Sequence, residues 1–385
     1  MPKIAIVAGE ASGDLLGGHL ISALKKQRSD LEFFGVAGPK MMREGAKSLF
    51  PIEKLSVRGY LEVLTHLYGL LKLRRSLLNQ ILKEKPAVFI GIDAPDFNFW
   101  LERKLKKHGI PTIHYVSPSI WAWRGGRIHK IKKAVTHMLA LFPFEPALYE
   151  KAGLPVTFIG HPLADEIPIR PNKKGARETL KLKQGDFIVT MLPGSRQSEV
   201  RQHAELFVKT AHLISKNHAN ALFLVPLITR ETRNIFEAAL YKNNDASLDK
   251  NNDALLNLQI LFGHAHDAME AADVVIVASG TATLEATLLK RPMVITYRMP
   301  NLSWQMLKRM NYLPYVGLPN ILAGKFLVPE LLQNEATPEK LAETVTRLVN
   351  DPENLKVIKQ TFTDIHISLK QNAAEKAAKV VLSYL

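Results

Sequence analysis

The segment that decides the fold reads VVIVASGTATLEA and occupies residues 274–286. Its first five residues are apolar and mostly β-branched, which favours a buried strand. Ser279, Gly280 and Thr281 then form a small polar turn, and the residues that follow favour a helix. The segment is therefore predicted to form a buried strand, a tight turn and a helix N-terminus.

This turn has the features of a phosphate-binding site. A helix N-terminus offers unpaired N–H groups and a partial positive charge, and Gly280 allows a ligand to approach the backbone. Ser279 and Thr281 add hydroxyl groups. Glu285 lies one turn further along the same face, where it can accept hydrogen bonds from sugar hydroxyls. An ordinary capped helix is the alternative, but Glu285 is not at the position that a capping box requires.

Length and composition narrow the class of protein. A chain of 385 residues suits two domains, and the absence of cysteine excludes disulfides and thiolate chemistry. The formal net charge of +15 indicates an anionic partner, which can be nucleic acid, an acidic membrane surface or a phosphorylated substrate. The N-terminal residues lack the order of a signal peptide, and no apolar run has the length of a membrane span. We therefore expect a cytoplasmic protein.

Strand-like and helix-like segments alternate along the chain, and nearly continuous apolar strands between helices are typical of a parallel sheet covered on both faces. Prolines and lysines interrupt this rhythm over 161–175, after which it begins again. The sequence predicts an α/β fold of two Rossmann-like, doubly wound domains facing a cleft, over 1–165 and 166–350. Ligands are expected at the carboxyl ends of the strands. The polar segment 243–253 is predicted to be a surface loop.

The first predicted strand runs into a glycine-rich turn that reads GEASGDLLGG over 9–18. Its spacing departs from the G-x-G-x-x-G dinucleotide fingerprint, and the carboxylates of Glu10 and Asp14 would repel a pyrophosphate. Such a turn suits sugar hydroxyls, or one phosphate held by backbone N–H groups. A purely structural turn explains the pattern equally well.

Two acids follow the next buried strand in the run GIDAPDFN over 91–98. Asp96 fits the N-cap of the following helix, which is a structural role. Asp93 has no such role, and the end of a buried strand places it at the edge of the cleft. Partial desolvation would raise its pKa and suit it to act as the general base for a hydroxyl nucleophile.

Two segments combine large apolar groups with polar or basic ones. Trp121 and Trp123 lie in a loop after a strand, where their rings can stack on a sugar, contact an acyl chain or fill a core. The apolar helix predicted over 59–83 can lie on an anionic membrane, although an amphipathic core helix with a solvated basic edge is the alternative. The apolar segment 59–71 of this helix is flanked by the cations Arg58, Lys72, Arg74 and Arg75.

Further candidates for ligand binding lie in the second predicted domain. Gly194 permits a tight turn after a strand, and Arg196 can make bidentate contact with a diphosphate. Asn320 lies in another turn and can contact a base, a ribose or a phosphate. His264 and His266 lie two residues apart without a third ligand, so no metal site is predicted.

Taken together, these segments resemble those of the bacterial lipid-A-disaccharide synthases, which are inverting glycosyltransferases of the GT-B architecture. The resemblance covers nearly the whole chain in order, and the insertion at 243–253 is the main departure. The matching segments are residues 7–14, 91–98, 114–124, 192–196, 278–285 and 318–320.

The resemblance implies transfer of 2,3-diacylglucosamine from its UDP conjugate to the 6-hydroxyl of 2,3-diacylglucosamine 1-phosphate (lipid X) in lipopolysaccharide biosynthesis. The products are the β-1′,6-linked disaccharide 1-phosphate and UDP. Because an α-linked donor gives a β product, a single in-line displacement suffices. Neither a metal nor a cofactor is implied, since Arg196 and a helix dipole can neutralise the leaving diphosphate.

The resemblance also implies that the two domains bind different substrates. The first domain faces the membrane and takes the acceptor, with Asp93 as the catalytic base, and the helices over 351–385 return to it. The residues implied for the acceptor are Glu10, Ser12, Gly13, Asp14, Trp121 and Trp123. The residues implied for UDP are Gly194, Arg196, Ser279, Gly280, Thr281, Glu285 and Asn320.

Both implied substrates carry acyl chains, so peripheral attachment to the cytoplasmic face of a Gram-negative inner membrane is now favoured for the apolar basic helix. A homodimer is compatible with the sequence. Nucleic acid is not expected as a partner because the cations are not interleaved with aromatic residues. Two alternatives stay open: another GT-B enzyme of UDP-sugars, either an epimerase or a different glycosyltransferase, and a non-catalytic binding protein.

Overall fold

The computed structural model describes residues 1–55, 60–121, 125–246, 256–300, 304–305 and 313–385, with the backbone alone described at 60–68 and 244–246. The chain forms two compact units. The first consists of Met1–Asp165 together with Ser368–Leu385, and the second is Glu166–Ile367.

The first unit is built on a parallel sheet. Its strands are β1 (Lys3–Ala8), β2 (Glu32–Val36), β3 (Lys47–Ser48), β4 (Val88–Ile92), β5 (Thr112–Tyr115), β6 (His137–Ala140) and β7 (Val156–Phe158). They lie in the order β3-β2-β1-β4-β5-β6-β7. The helices between them are α1 (Ala11–Gln27), α2 (Pro39–Arg43), α3 (Tyr60–Glu84), α4 (Pro95–Lys107), α5 (Ile128–Ala134), α6 (Pro146–Lys151) and α7 (Pro162–Glu166).

The second unit repeats this plan. Its strands are β8 (Phe187–Leu192), β9 (Ala221–Leu227), β10 (Leu258–Phe262), β11 (Val274–Ala278), β12 (Met293–Tyr297) and β13 (Glu330–Leu332). They are parallel in the order β10-β9-β8-β11-β12-β13. Its helices are α8 (Lys173–Thr179), α9 (Gln197–Asn217), α10 (Arg230–Ala246), α11 (Ala265–Ala271), α12 (Thr281–Leu288), α13 (Leu318–Ala323), α14 (Pro338–Val349) and α15 (Pro352–Leu369).

Both sheets contain the Rossmann strand order, in which the direction of winding reverses beside the first strand. The reversal lies between β1 and β4 in the first unit and between β8 and β11 in the second. Strands β1, β4 and β11 are buried almost completely, as expected for a parallel sheet with helices on both faces. The predicted α/β class with two doubly wound sheets is confirmed.

The return of the chain to the first unit begins later than predicted. The sequence-based boundary was residue 351, whereas only Ser368–Leu385 belong to the first unit. Most of α15 stays with the second unit, because it buries Phe362 and pairs His366 with Lys290 of that unit.

A single carboxylate fixes the returning segment. Asp165 accepts hydrogen bonds from the backbone N–H groups of Asn372 at 2.9 Å and Ala373 at 2.7 Å. These groups begin the last helix, α16 (Ala373–Leu382), whose buried face joins the core of the first unit. The side chain of Tyr384 also contacts Nδ1 of His137 through its hydroxyl at 3.0 Å.

Helix α3 corresponds to the long basic helix that the sequence predicts. Its second half is a core element, since Leu77 is fully buried and the guanidinium of Arg74 lies 4.2 Å from the centroid of the Trp100 ring. Arg74 therefore contacts Trp100 inside the first unit. Arg58 lies outside the described residues. None of the helices in the described ranges has the length and hydrophobicity of a transmembrane helix. Exposed side chains of α3 include Leu71, Lys72 and Arg75.

The segment predicted as a polar loop over 243–253 is partly helical. Helix α10 continues to Ala246, and residues 247–255 lie outside the described part of the chain. The short outer strands β3 and β13 were not predicted, because two and three residues carry no readable alternation.

Replacement of Gly35 in β2 tests how closely the strands of the first sheet are packed. Its φ is +146°, and a Cβ at this position would lie 2.0 Å from the carbonyl oxygen of Ile6. We expect Gly35→Ala to lower the free energy of unfolding by about 3 kcal/mol, as measured by urea denaturation. Gly126→Ala is the control, because apart from its chain neighbours no described atom lies within 4 Å of its added Cβ. Equal midpoints of urea denaturation for the two variants would contradict the close contact between Gly35 and Ile6.

Candidate active site

The turns with the predicted acceptor residues leave neighbouring strands at the same level. Ala8 at the end of β1 pairs with Ile92 at the end of β4, and Ile92 pairs with Tyr115 at the end of β5. Since adjacent strands lie about 4.8 Å apart, the three turns start within about 10 Å of one another. They flank the position at which doubly wound sheets bind ligands.

Asp93 lies in the middle one of these turns and is half-buried. No described residue donates a hydrogen bond to its carboxylate. Its φ is +52° and that of Ala94 is +43°, a left-handed conformation that non-glycine residues seldom adopt. Val116, after β5, has a φ of +83°. Strained residues of this kind cluster at functional sites, so the geometry supports Asp93 as a reacting group.

A buried amide holds this strained turn. Nδ2 of Asn98 donates to the carbonyl oxygens of Asp93 at 2.8 Å and Ile92 at 3.3 Å. Asn98 is fully buried, and the sequence analysis did not single it out. The prediction that Asp96 caps α4 was wrong, because Ala94 occupies the N-cap and the 86% exposed Asp96 side chain pairs with Arg127.

The turn after β1 contains both exposed and buried residues. Glu10 and Ser12 are exposed at the start of α1, where Glu10 occupies the N-cap without a side-chain capping bond, so both are available to a ligand. Gly13 is buried, and an added Cβ would lie 3.3 Å from Cβ of Ala8. Gly13 therefore permits the close approach of α1 to the sheet and is not placed to contact an acceptor, contrary to the prediction.

Asp14 is also a structural residue, which corrects its predicted role. Its side chain is almost fully buried, and its oxygens accept hydrogen bonds from the backbone N–H groups of Gly38 at 3.0 Å, Lys40 at 2.9 Å and Met41 at 3.0 Å. These donors form the N-terminus of α2, so the carboxylate caps that helix.

Trp121 is half-buried in the turn after β5, and its ring makes an edge contact with Phe144 at a centroid distance of 5.2 Å. It is therefore at the same edge of the sheet as Asp93. Trp123 lies outside the described residues.

The predicted UDP residues follow two adjacent strands of the second sheet. Leu192 at the end of β8 pairs with Val277 near the end of β11. The turn that contains Arg196 and the turn over 279–281 therefore leave the sheet side by side, at the second reversal of winding. Both turns follow strands, as the sequence predicts.

Helix α12 begins after β11 with an accessible N-terminus. Gly280 is its N-cap, no side chain caps it, and Gly280 and Thr281 are both exposed. Ser279 is half-buried and its hydroxyl donates to the carbonyl oxygen of Val316 at 3.4 Å. The N-terminal backbone N–H groups of α12 are therefore placed to bind an anion.

Helix α9, after β8, is capped differently. Oε2 of Glu199 accepts hydrogen bonds from the backbone N–H groups of Ser195 at 3.0 Å and Arg196 at 3.2 Å. Gly194 has a φ of +122°, and an added Cβ would lie 2.5 Å from Cβ of Glu199. Only glycine allows this turn to close over the glutamate.

The guanidinium of Arg196 remains accessible. Its side chain is 74% exposed and lies 3.3 Å from Oε1 of Glu199. Exposed ion pairs of this kind contribute about 0–1 kcal/mol. Arg196 can therefore turn toward a diphosphate at little cost.

Glu285 lies on the face of α12 that the sequence predicts, and it has a partner that sequence analysis considered only as a metal ligand. Nδ1 of His266 lies 3.1 Å from Oε1 of Glu285. The hydrogen bond to Glu285 raises the pKa of His266 above its usual value. The described residues contain no cluster of ligands for a metal ion.

Asn320 is a structural residue, which corrects its predicted contact with UDP. It is fully buried, and its Oδ1 accepts from the backbone N–H groups of Leu327 and Val328, at 2.8 and 2.9 Å. Its Nδ2 donates to the carbonyl of Val328 and to Oε1 of Glu330. Glu330 in turn accepts from the N–H of Gly317 at 2.9 Å. No sequence signal linked the distant Glu330 to this turn.

Solved structures of low sequence identity share the fold. The UDP-GlcNAc 2-epimerase of Neisseria meningitidis, bound to UDP-GlcNAc, aligns with a TM-score of 0.61 at 13% identity, covering 99% of this chain and 98% of that chain. A glycosyltransferase of Rickettsia africae aligns with a TM-score of 0.61 at 13% identity, covering 100% and 97%. At these identities the similarity shows the fold alone, which is the GT-B architecture.

Sequence relatives are much more similar. A model of the Lipid-A-disaccharide synthetase family matches residues 4–381. The lipid-A-disaccharide synthase of Methylobacillus flagellatus is 64% identical over 385 residues, covering 100% of both chains, and that of Azoarcus sp. (strain BH72) is 56% identical, covering 100% of this chain and 96% of its own. The chain belongs to the lipid-A-disaccharide synthase family.

Proposed function

We propose that this chain transfers 2,3-diacylglucosamine from UDP-2,3-diacylglucosamine to the 6-hydroxyl of 2,3-diacylglucosamine 1-phosphate. The family match over residues 4–381 carries the proposal. In the reaction the acceptor oxygen forms a bond to C1 of the donor sugar, and the bond from C1 to the UDP oxygen breaks. The proton of the hydroxyl passes to a base, and UDP leaves with the electron pair.

The second unit provides the site for the leaving group. The uncapped N-terminus of α12 places backbone N–H groups and a partial positive charge beside the turn over 279–281, which suits a diphosphate. Arg196 leaves the neighbouring strand and adds a full positive charge that stabilises the departing UDP. Glu285, oriented by His266, accepts hydrogen bonds from the ribose hydroxyls.

The first unit provides the base. The Asp93 carboxylate accepts the proton of the 6-hydroxyl as the new bond forms. Its strained turn is held by Asn98, so the carboxylate is positioned before the substrate arrives. Glu10 and Ser12 are exposed on the adjoining turn and contact the acceptor sugar.

We also propose that α3 attaches the protein to an anionic membrane surface. Leu71, Lys72 and Arg75 are exposed on this helix, so an apolar group and two cations are available together. Cations near such a surface contribute about 1 kcal/mol each. The acyl chains of both substrates explain why an enzyme without a described transmembrane helix would bind a membrane.

The proposed reaction is tested by measuring UDP and disaccharide together. With both acylated sugars, we expect the two products in equal amounts, and no UDP from the donor alone. Asp93→Asn should lower kcat by about 100-fold or more, because general-base catalysis contributes about 10²–10⁴-fold, while the Kd for UDP stays unchanged. An epimerised donor sugar without disaccharide would identify a different UDP-sugar enzyme.

Asp96→Asn is the matched control for this experiment. The same change is made three residues away, on a side chain that is 86% exposed and pairs with Arg127. Its turnover should stay near that of the wild type. Equal turnover in the Asp93 and Asp96 variants would remove Asp93 as the base.

Arg196→Ala should weaken UDP binding about tenfold or more, because a hydrogen bond to a charged group contributes about 1.5–3 kcal/mol. Isothermal titration calorimetry with UDP measures the effect. Arg201→Ala is the control, since Arg201 lies in the first turns of α9, which Arg196 precedes, and bonds to Gln197 at 3.2 Å. If both variants bind UDP as tightly as the wild type, the diphosphate lies elsewhere.

Membrane attachment is tested by sedimentation with vesicles that contain phosphatidylglycerol. Leu64, Leu67 and Leu71 recur at helical spacing in the sequence of α3. Their joint replacement by serine should abolish co-sedimentation, and the melting temperature of the variant is measured alongside. Val357→Ser is the control, because this side chain is 51% exposed on α15 of the second unit. Undiminished sedimentation of the triple variant would exclude α3 as the attachment site.

A further inference from the structure

Three aromatic side chains form one surface at the carboxyl edge of the first sheet. Phe142 and Phe144 stack with an interplanar angle of 9° and a centroid distance of 5.7 Å, and Trp121 contacts Phe144 edge-on at 5.2 Å. All three are half-buried. We call Trp121, Phe142 and Phe144 the aromatic platform.

The platform joins two turns that are far apart in sequence. Trp121 follows β5, whereas Phe142 and Phe144 follow β6, and these strands are neighbours with Tyr115 paired to Leu139. Leu148, on the helix that follows, is 39% exposed. The half-buried rings and Leu148 therefore place apolar surface at this edge of the sheet.

Buried polar contacts hold each of the two turns in place. Glu145 is 1% exposed, and its Oε2 accepts hydrogen bonds from the backbone N–H groups of Leu141 at 3.0 Å and Phe142 at 2.9 Å. In the turn after β5, the hydroxyl of Ser117 lies 2.7 Å from the hydroxyl of Tyr149 on α6. These polar groups are thus satisfied beneath the platform, so its rings can be partly exposed without a polar cost.

The platform lies within reach of the proposed base. Strand β6 is two positions from β4 in the sheet, which is about 10 Å at the usual strand spacing. One leaflet of a bilayer core, and hence an extended acyl chain, is about 15 Å long. A sugar whose hydroxyl is at Asp93 can therefore extend an acyl chain across the platform.

We propose that the aromatic platform is a binding site for an acyl chain of the acceptor sugar and sets the chain-length preference of the enzyme. The proposal rests on the proposed function and deepens it. Ring faces provide apolar area with little loss of conformational entropy, and each buried methylene tightens binding about fourfold. The Michaelis constant for the acceptor should therefore fall as its chains lengthen, until the platform is covered.

The test measures kcat and KM for a series of acceptors that differ only in acyl length, with UDP-2,3-diacylglucosamine as the donor. In the wild type, KM should fall by up to about sixteenfold with each pair of added methylenes that the platform covers. In Phe144→Ala this dependence should flatten, with KM for the long-chain acceptor raised about tenfold. The short-chain acceptor should have the same KM in both proteins.

Two further variants separate binding from folding. Phe144→Leu keeps an apolar side chain without the stacked ring and should retain most of the chain-length dependence. Tyr241→Ala removes a 68% exposed aromatic from α10 of the second unit and should leave the dependence unchanged. Melting temperatures are measured for all variants.

Three results would overturn the inference. An unchanged chain-length dependence in Phe144→Ala, with or without a lower melting temperature, would make the platform a packing element. A uniform rise of KM at every chain length in Phe144→Ala would mean that the platform binds the sugar of the acceptor. Loss of vesicle binding by Phe144→Ala in the absence of acceptor would mean that the platform binds the membrane surface. Failure of the proposed function is distinct, because the wild type would then form no disaccharide from any acceptor.

Discussion

The register of the parallel strands is the constraint on which the candidate site depends. Each sheet reverses its winding beside its first strand, so two turns leave that position at the same level and no helix crosses between them. In the first unit these turns carry Glu10 and Asp93, and in the second they carry Arg196 and the N-terminus of α12. A shift of one residue in either register would turn the strand side chains that precede these turns to the opposite face of the sheet.

Buried polar side chains then fix the turns that the register brings together. Asp14 caps α2, Asn98 holds the turn of Asp93, and Glu145 holds the turn after β6. Asn320 organises the turn after α13 in the same way. Each satisfies backbone groups that would otherwise be buried without a partner, which costs about 1–3 kcal/mol per group. Rigid turns of this kind keep the accessible groups in place before a substrate binds.

The fold could be predicted from the sequence, and the candidate residues could be placed after the strands of each sheet, because buried parallel strands and the turns after them have strong local patterns. Sequence reasoning separated ligand-facing from structural residues less well. Asp14 and Asn320 have the residue types of a binding site, but their side chains turn inward to backbone N–H groups that lie 24 and 7 residues away in sequence. The direction of a side chain depends on such distant partners, and no local pattern encodes it.

The residue at which the chain returns to the first unit could not be predicted from the sequence for the same reason. Pro352 begins a helix as its residue type suggests, but the change of unit occurs within that helix and near residue 368. It is decided by the pairing of His366 with Lys290 and by the contact of Asp165 with the start of α16. Both contacts join segments far apart in sequence, so composition and periodicity do not reveal them.

The most direct test of the account is amide hydrogen exchange, measured separately with UDP and with the acylated acceptor. UDP should slow exchange at 194–197 and 279–283 in the second unit, and the acceptor should slow it at 93–98 and 117–121 in the first. Protection by UDP at the first set of strand ends, with none after β8 and β11, would contradict the assignment of the two substrates to the two units.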